Sequence, residues 1–183
     1  MKHKLNFRRL SYIVLALIII GCTEDDPTEP TDENTLLYSS FEKNGRFSSD
    51  GWTLPSQSDS SSDVPAGGGN FSLVLEASNP PGSAHIKVPV KTNFNEFKLT
   101  FWAKSTGVTS GINGEAILSL VRNGSVIDSS SILVNDIIWK SYSIQDTFSV
   151  AAGDSFMVQL TAGISQLLPG ETYFDLCRLY GVD

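Results

Sequence analysis

The sequence predicts an all-β protein: an antiparallel β-sandwich behind an export signal and an acidic tether. Three observations carry this. The N-terminus is first basic and then apolar, an acidic stretch without large apolar residues follows, and from Leu36 onward apolar and polar side chains alternate. No stretch of ten or more residues shows convincing helical periodicity.

The first element is the signal, residues 1–21. Lys2, Lys4, Arg8 and Arg9 precede the apolar run Tyr12 to Ile20, and the small Gly21 closes it. A charged segment, a short apolar run and a small residue describe a secretory signal. The run is about half the ~20 residues that span a bilayer, which argues against a retained membrane helix. The second element is residues 22–34. Thr23 to Asn34 holds Glu24, Asp25, Asp26, Glu29, Asp32 and Glu33, with Pro27 and Pro30 and no basic residue. Such a segment repels itself and cannot bury enough surface to fold.

The third element, residues 35–183, reads as strands. Phe71, Leu73 and Leu75 alternate with Ser72 and Val74, and Ala84, Ile86, Val88 and Val90 with His85, Lys87 and Pro89. Phe97, Leu99, Phe101 and Ala103 alternate with Lys98, Thr100 and Trp102, and Phe156, Val158, Leu160 and Ala162 with Met157, Gln159 and Thr161. A period of two marks half-buried strands. Ala116, Leu118 and Leu120 lead into Asn123-Gly124, which supplies the positive-φ residues of a type I′ hairpin turn. Pro89 belongs at an edge or a strand end because it donates nothing to a ladder. Leu54 to Asn70, rich in Ser, Asp and Gly, reads as the longest loop. Short strands with polar turns point to a sandwich.

Composition narrows the function. Without residues 1–21 the chain keeps all 20 acidic but only nine basic side chains, a net charge of −11. Nucleic acid and anionic membrane surfaces both need a cationic face, so they are disfavoured as partners. Catalysis finds little support. His85 is the only histidine after the signal, no Gly-x-Ser-x-Gly elbow is present, and there is no Cys/His cluster, phosphate loop or dinucleotide fingerprint. Cys177 sits in an apolar context and reads as a small buried residue.

Two resemblances extend this reading. Ile19-Ile20-Gly21-Cys22 resembles the lipobox of bacterial lipoproteins. The resemblance implies cleavage before Cys22, lipidation of Cys22, and attachment to a membrane through its acyl chains. The acidic residues after Cys22 resemble the signals that send lipoproteins to the outer face of the outer membrane in some glycan-degrading Gram-negative bacteria. Thr23 does not match the inner-membrane retention signal. The expected location is therefore the outer membrane, at the cell surface, with a periplasm-facing anchor as the alternative.

The second resemblance spans nearly all of residues 36–181. Ser40-Phe41-Glu42, Gly51-Trp52, Gly69-Asn70-Phe71-Ser72-Leu73, Phe97 to Lys104, Trp139-Lys140-Ser141-Tyr142 and Tyr173 to Leu179 follow in an order similar to the galactose-binding-like jelly rolls. Within these it resembles particularly the carbohydrate-binding modules of bacterial xylanases and glucanases. It implies a structural Ca²⁺ at one edge, with Glu42 and Asp175 as ligands. The alternatives for Asp175 are an ion pair with Arg178 or Arg46, or exposure to water. It also implies that Trp52, Trp102 and Trp139 occupy positions that are commonly core. Trp102 is the exception by period: if Phe97, Leu99 and Phe101 face inward, Trp102 faces outward. Trp102 with Gln159 is the expected sugar platform, and the loops 54–70 and 107–114 are the alternative site. The expected function is non-catalytic binding of a polysaccharide by a lipid-anchored module. The alternative is a structural or adhesive jelly roll that contacts an envelope protein.

Overall fold

The computed structural model describes residues 33–91, 93–106, 113–163 and 170–183; Cys22, the expected signal and most of the expected tether lie outside them. The strands in chain order are β1 Thr35–Ser39, β2 Glu42–Lys43, β3 Arg46–Phe47, β4 Ser58–Ser61, β5 Ser72–Glu76 and β6 Ser83–Pro89. They continue with β7 Glu96–Ser105, β8 Gly114–Arg122, β9 Ser125–Val134, β10 Lys140–Thr147, β11 Ser155–Thr161 and β12 Glu171–Val182. A larger sheet has the order β10-β7-β12-β5-β4, with β1 also on β12, and a smaller sheet has the order β6-β11-β8-β9. Their ladders are antiparallel throughout. The chain is an antiparallel β-sandwich.

Alternation builds the core. Phe97, Leu99, Phe101 and Ala103 of β7 are buried, as are Phe156, Val158 and Leu160 of β11. The two sets meet between the sheets, with the Phe97 and Phe156 rings 4.6 Å apart. Phe148 packs against both. Each such side chain contributes about 1.5–3 kcal/mol by leaving water. The buried Tyr142 ring stacks on Phe101 at 5.6 Å, and its hydroxyl donates to Asp136 at 2.6 Å. Burial and that acceptor push the phenol up to about 12.

Turn chemistry fixes the connections. Asn123 and Gly124 have φ of 51° and 81° and join β8 to β9, as an Asn-Gly hairpin requires. Pro89 ends β6, an edge strand, where a missing amide costs no ladder bond. The 54–70 segment is not wholly a loop. Its Ser58–Ser61 portion pairs with Ser72–Leu75 as edge strand β4. Its Ser-Asp composition hides this, because an edge strand needs only one paired side and little apolar surface.

The long strand β12 carries one irregularity of consequence. Its register against β7 shifts between Asp175 and Arg178, and Leu176 sits there with φ of 50°. The first half of β12 pairs with β5 and the second half with β1. A bulge adds a residue on one strand and re-aims the side chains beside it.

Candidate functional site

Alternation on β7 sends Lys98, Thr100, Trp102 and Lys104 to the outer face of the larger sheet, each half-buried there. Register then assembles a face that the sequence alone does not show. Tyr173 of β12 lies opposite Lys104, and Ser141 of β10 lies opposite Trp102. Trp139, just before β10, reaches the same place. The Lys104 ammonium lies 4.6 Å from the Tyr173 ring centre and 5.3 Å from that of Trp139. The two rings meet edge to face at 6.2 Å.

Asp63 organises the cluster from the loop after β4. It accepts from the Trp139 indole nitrogen at 2.8 Å and pairs with Lys104. Lys104 foremost, and then Trp139, hold the Asp63 carboxyl below its ordinary range. On the far side the Tyr173 hydroxyl donates to Glu171 at 2.5 Å. Burial first and then Glu171 push that phenol up to about 12. Trp102 is one outward position along β7 from Lys104, on the order of 7 Å away. The aromatic surface continues toward the other end of β12 with Tyr180, whose ring carries the Arg178 guanidinium at 4.6 Å.

The structure does not bring Trp102 and Gln159 together. Gln159 faces outward from β11 of the smaller sheet, beside His85 and Ile117. Phe101 and Leu160 mark the inward faces of the two strands, so the whole core separates Trp102 from Gln159. The period-two count was right for each residue but cannot tell which of two sheets a strand joins. Trp52 is core: it is buried, its ring lies 5.3 Å from that of Phe41, and its indole nitrogen donates to Ser39 at 3.1 Å. Trp139 is not core, contrary to expectation, because it lies on the outer face rather than between the sheets. Lys104 and Tyr173 were legible by alternation from Trp102 and Phe174. Asp63 carries no local signal.

The second feature is Asp175. Its side chain is fully buried, and its Oδ2 has no hydrogen-bond partner. Its other oxygen accepts only the Leu176 amide, at 2.7 Å. Neither Arg178 nor Arg46 forms an ion pair with it among the described residues. Burial chiefly, with the negative charge of Glu42 nearby, pushes its pKa up to about 8. Glu42 itself accepts from the Asn70 backbone at 2.6 Å and from the Asn70 side chain at 3.0 Å. A Cβ on Gly68 would fall 2.3 Å from Asp175 Oδ2, so a bare glycine backbone closes over the carboxylate. A buried carboxylate with an orphaned oxygen, and a second carboxylate near enough to raise its pKa, suit a hard cation that takes oxygen ligands. The chemistry fits Ca²⁺: Glu42, Asp175 and carbonyls of the adjoining turns would hold it. Its role would be to neutralise buried charge and pin β2, the 65–70 loop and the β12 bulge together.

No protein-family model matches the chain, and no curated protein matches it. Solved structures do. The second family 16 carbohydrate-binding module shares 18% identity and a TM-score of 0.51, over 71% of this chain and 90% of that one. The xylan-binding CBM22-2 domain of Paenibacillus barcinonensis Xyn10C shares 13% identity and a TM-score of 0.53, over 80% and 99%. The enzymatically active domain of bacteriophage CBA120 tailspike protein 4 shares 17% identity and a TM-score of 0.57, over 72% of this chain. This chain spans only 19% of that tailspike chain. The fold is that of the jelly-roll carbohydrate-binding modules.

Proposed function

We propose that this chain is a non-catalytic carbohydrate-binding module that grips a polysaccharide on the outer face of its larger sheet. One observation carries the reading: Trp139, Tyr173 and Trp102 gather on a single face, interleaved with Lys104 and Asp63. Aromatic rings suit the apolar face of a pyranose, and fixed charged groups suit its hydroxyls. The neighbouring modules, one described as xylan-binding, support a plant-type glycan as ligand.

The same reading places a structural Ca²⁺ at Glu42 and Asp175. It also places the module at the outer membrane, lipidated at Cys22, where a flexible acidic tether would let it sample polymer near the surface. Affinity electrophoresis of the chain in gels containing xylan, glucans, galactans and host glycans tests the binding. Retardation in at least one gel is expected. Free migration in every gel would turn the reading to protein contact, which the exposed apolar segment Val126 to Ile138 favours.

A further inference from the structure

The outer face of the larger sheet continues past Trp102, and its character changes there. Outward on β7 stand Lys104, Trp102, Thr100, Lys98 and Glu96 in turn. Register on β12 sets Arg178 opposite Thr100 and Tyr180 opposite Lys98. Their inward neighbours Leu99 and Leu179 are fully buried, which fixes Lys98, Arg178 and Tyr180 on the outside, half-buried. Lys98 and Arg178 are diagonal cross-strand neighbours, with Cβ atoms about 7 Å apart. β10 adds an exposed polar row: Ser141 opposite Trp102, Ser143 opposite Thr100 and Gln145 opposite Lys98.

Residues 22–183 hold nine basic side chains against 20 acidic ones. Lys43, Lys104, Arg122 and Lys140 each pair with an aspartate. The charge of Lys104 is thus answered by Asp63 within the aromatic cluster. Lys98 forms no ion pair among the described residues. Glu96, the next outward side chain on β7, accepts from Gln145 at 2.7 Å instead. The Arg178 guanidinium lies 4.6 Å from the Tyr180 ring centre, and its Nη2 donates to the Thr35 hydroxyl at 3.2 Å. Ring and hydroxyl hold it over the sheet. Two neighbouring cations repel each other, and an anion seated between them turns that repulsion into attraction.

We propose that Lys98 and Arg178 take the carboxylate of an acidic sugar, so that the polysaccharide held on this face is a uronate polymer. This rests on the carbohydrate-binding reading and names its substrate class. A guanidinium meets a planar carboxylate through two parallel N–H donors, and an ammonium adds a point charge. Trp102, about 13 Å along β7 from Lys98, is left for the face of a sugar further along the polymer. Ser141 and Ser143 line the way between them for its hydroxyls. Nucleic acid asks for a cation at phosphate after phosphate, which two side chains do not supply. The net negative charge of the chain repels polyanions in general, so retention by one reports a local site.

The test is affinity electrophoresis of the full chain in gels containing polygalacturonate, glucuronoxylan or alginate, each beside its methyl-esterified form. The ester keeps the sugars and removes the charge. At least one acid polymer is expected to bind the wild type about tenfold more tightly than its ester does. Lys98→Gln is expected to lose that preference, about tenfold in Kd, and to match the wild type on the ester. Lys98→Arg should keep the preference. Arg178→Gln, whose folding a thermal melt checks, is expected to behave as Lys98→Gln does. Equal retardation by every acid polymer and its ester overturns the proposal and leaves the carbohydrate reading standing. So does a Lys98→Gln variant with the wild-type preference. Stronger retardation by a sulfated galactan than by any uronate polymer overturns the assignment to a carboxylate. Free migration in every gel, neutral ones included, overturns both readings together.

Discussion

The Ca²⁺ proposed at Glu42 and Asp175 predicts that a chelator loosens the domain by a measurable amount. A ligand that binds only the folded state at a hundred times its dissociation constant stabilises it by about 2.7 kcal/mol. A domain of this size shifts its Tm by roughly 2–4 °C per kcal/mol, so excess EDTA should lower Tm by roughly 5–10 °C. Asp175→Asn should abolish that shift, because the amide removes the charge that calls for the cation. The metal-free protein adds a pH signature. Folded Asp175 keeps its proton up to about pH 8, whereas a free carboxyl releases its own near 3.8. The folded state therefore binds the extra proton between those values. Metal-free stability should fall as pH rises from about 4 to about 8 and level off above that. Asp175→Asn in EDTA should lack this slope. The assay is differential scanning calorimetry of both proteins, with calcium and with chelator, across that pH range. A wild-type Tm unmoved by any chelator concentration would refute the reasoning, as would a full calcium response in Asp175→Asn.

Three further outcomes follow from packing and charge. Gly68→Ala should destabilise the protein by about 1–3 kcal/mol in denaturant titration, since its Cβ would overlap Asp175 Oδ2 and the Pro65 ring. Phe97→Ala should cost about 3–5 kcal/mol by the same assay, because it opens a cavity where Phe94, Phe148 and Phe156 meet. Arg122 holds the Asp154 carboxyl below its ordinary range through bonds of 2.9 and 2.7 Å. That stabilisation is present above pH 4 and lost as pH falls further, so Asp154→Asn should flatten the acid limb of a pH–stability curve.

The strands were legible because alternation is local. Phe97 to Ala103 and Phe156 to Leu160 announce one buried face each, and Asn123-Gly124 announces its hairpin. β4 was hidden because its Ser58–Ser61 sequence has no apolar face to reveal. The site was legible in part for the same reason. Trp102 faces outward by count, but its neighbours are set by the β7–β12 and β7–β10 registers, which join residues dozens of positions apart. Gln159 followed the same count onto the wrong sheet. Trp139 looked like core by position in a motif, whereas Asp63 and Lys104 hold it on the surface. The burial of Asp175 depends on the bulge at Leu176 and on Gly68 above it, and neither leaves a periodic trace.

The central claim is that sugar binds the outer face of the larger sheet. Affinity electrophoresis in whichever glycan gel retards the wild type, run with Trp102→Ala, Trp139→Ala and Gln159→Ala, tests it most directly. Both tryptophan variants should lose about 2 kcal/mol of binding, roughly thirtyfold in Kd, while remaining folded. Gln159→Ala, on the opposite face, should migrate as the wild type does. Full retention of binding by both folded tryptophan variants would contradict the account.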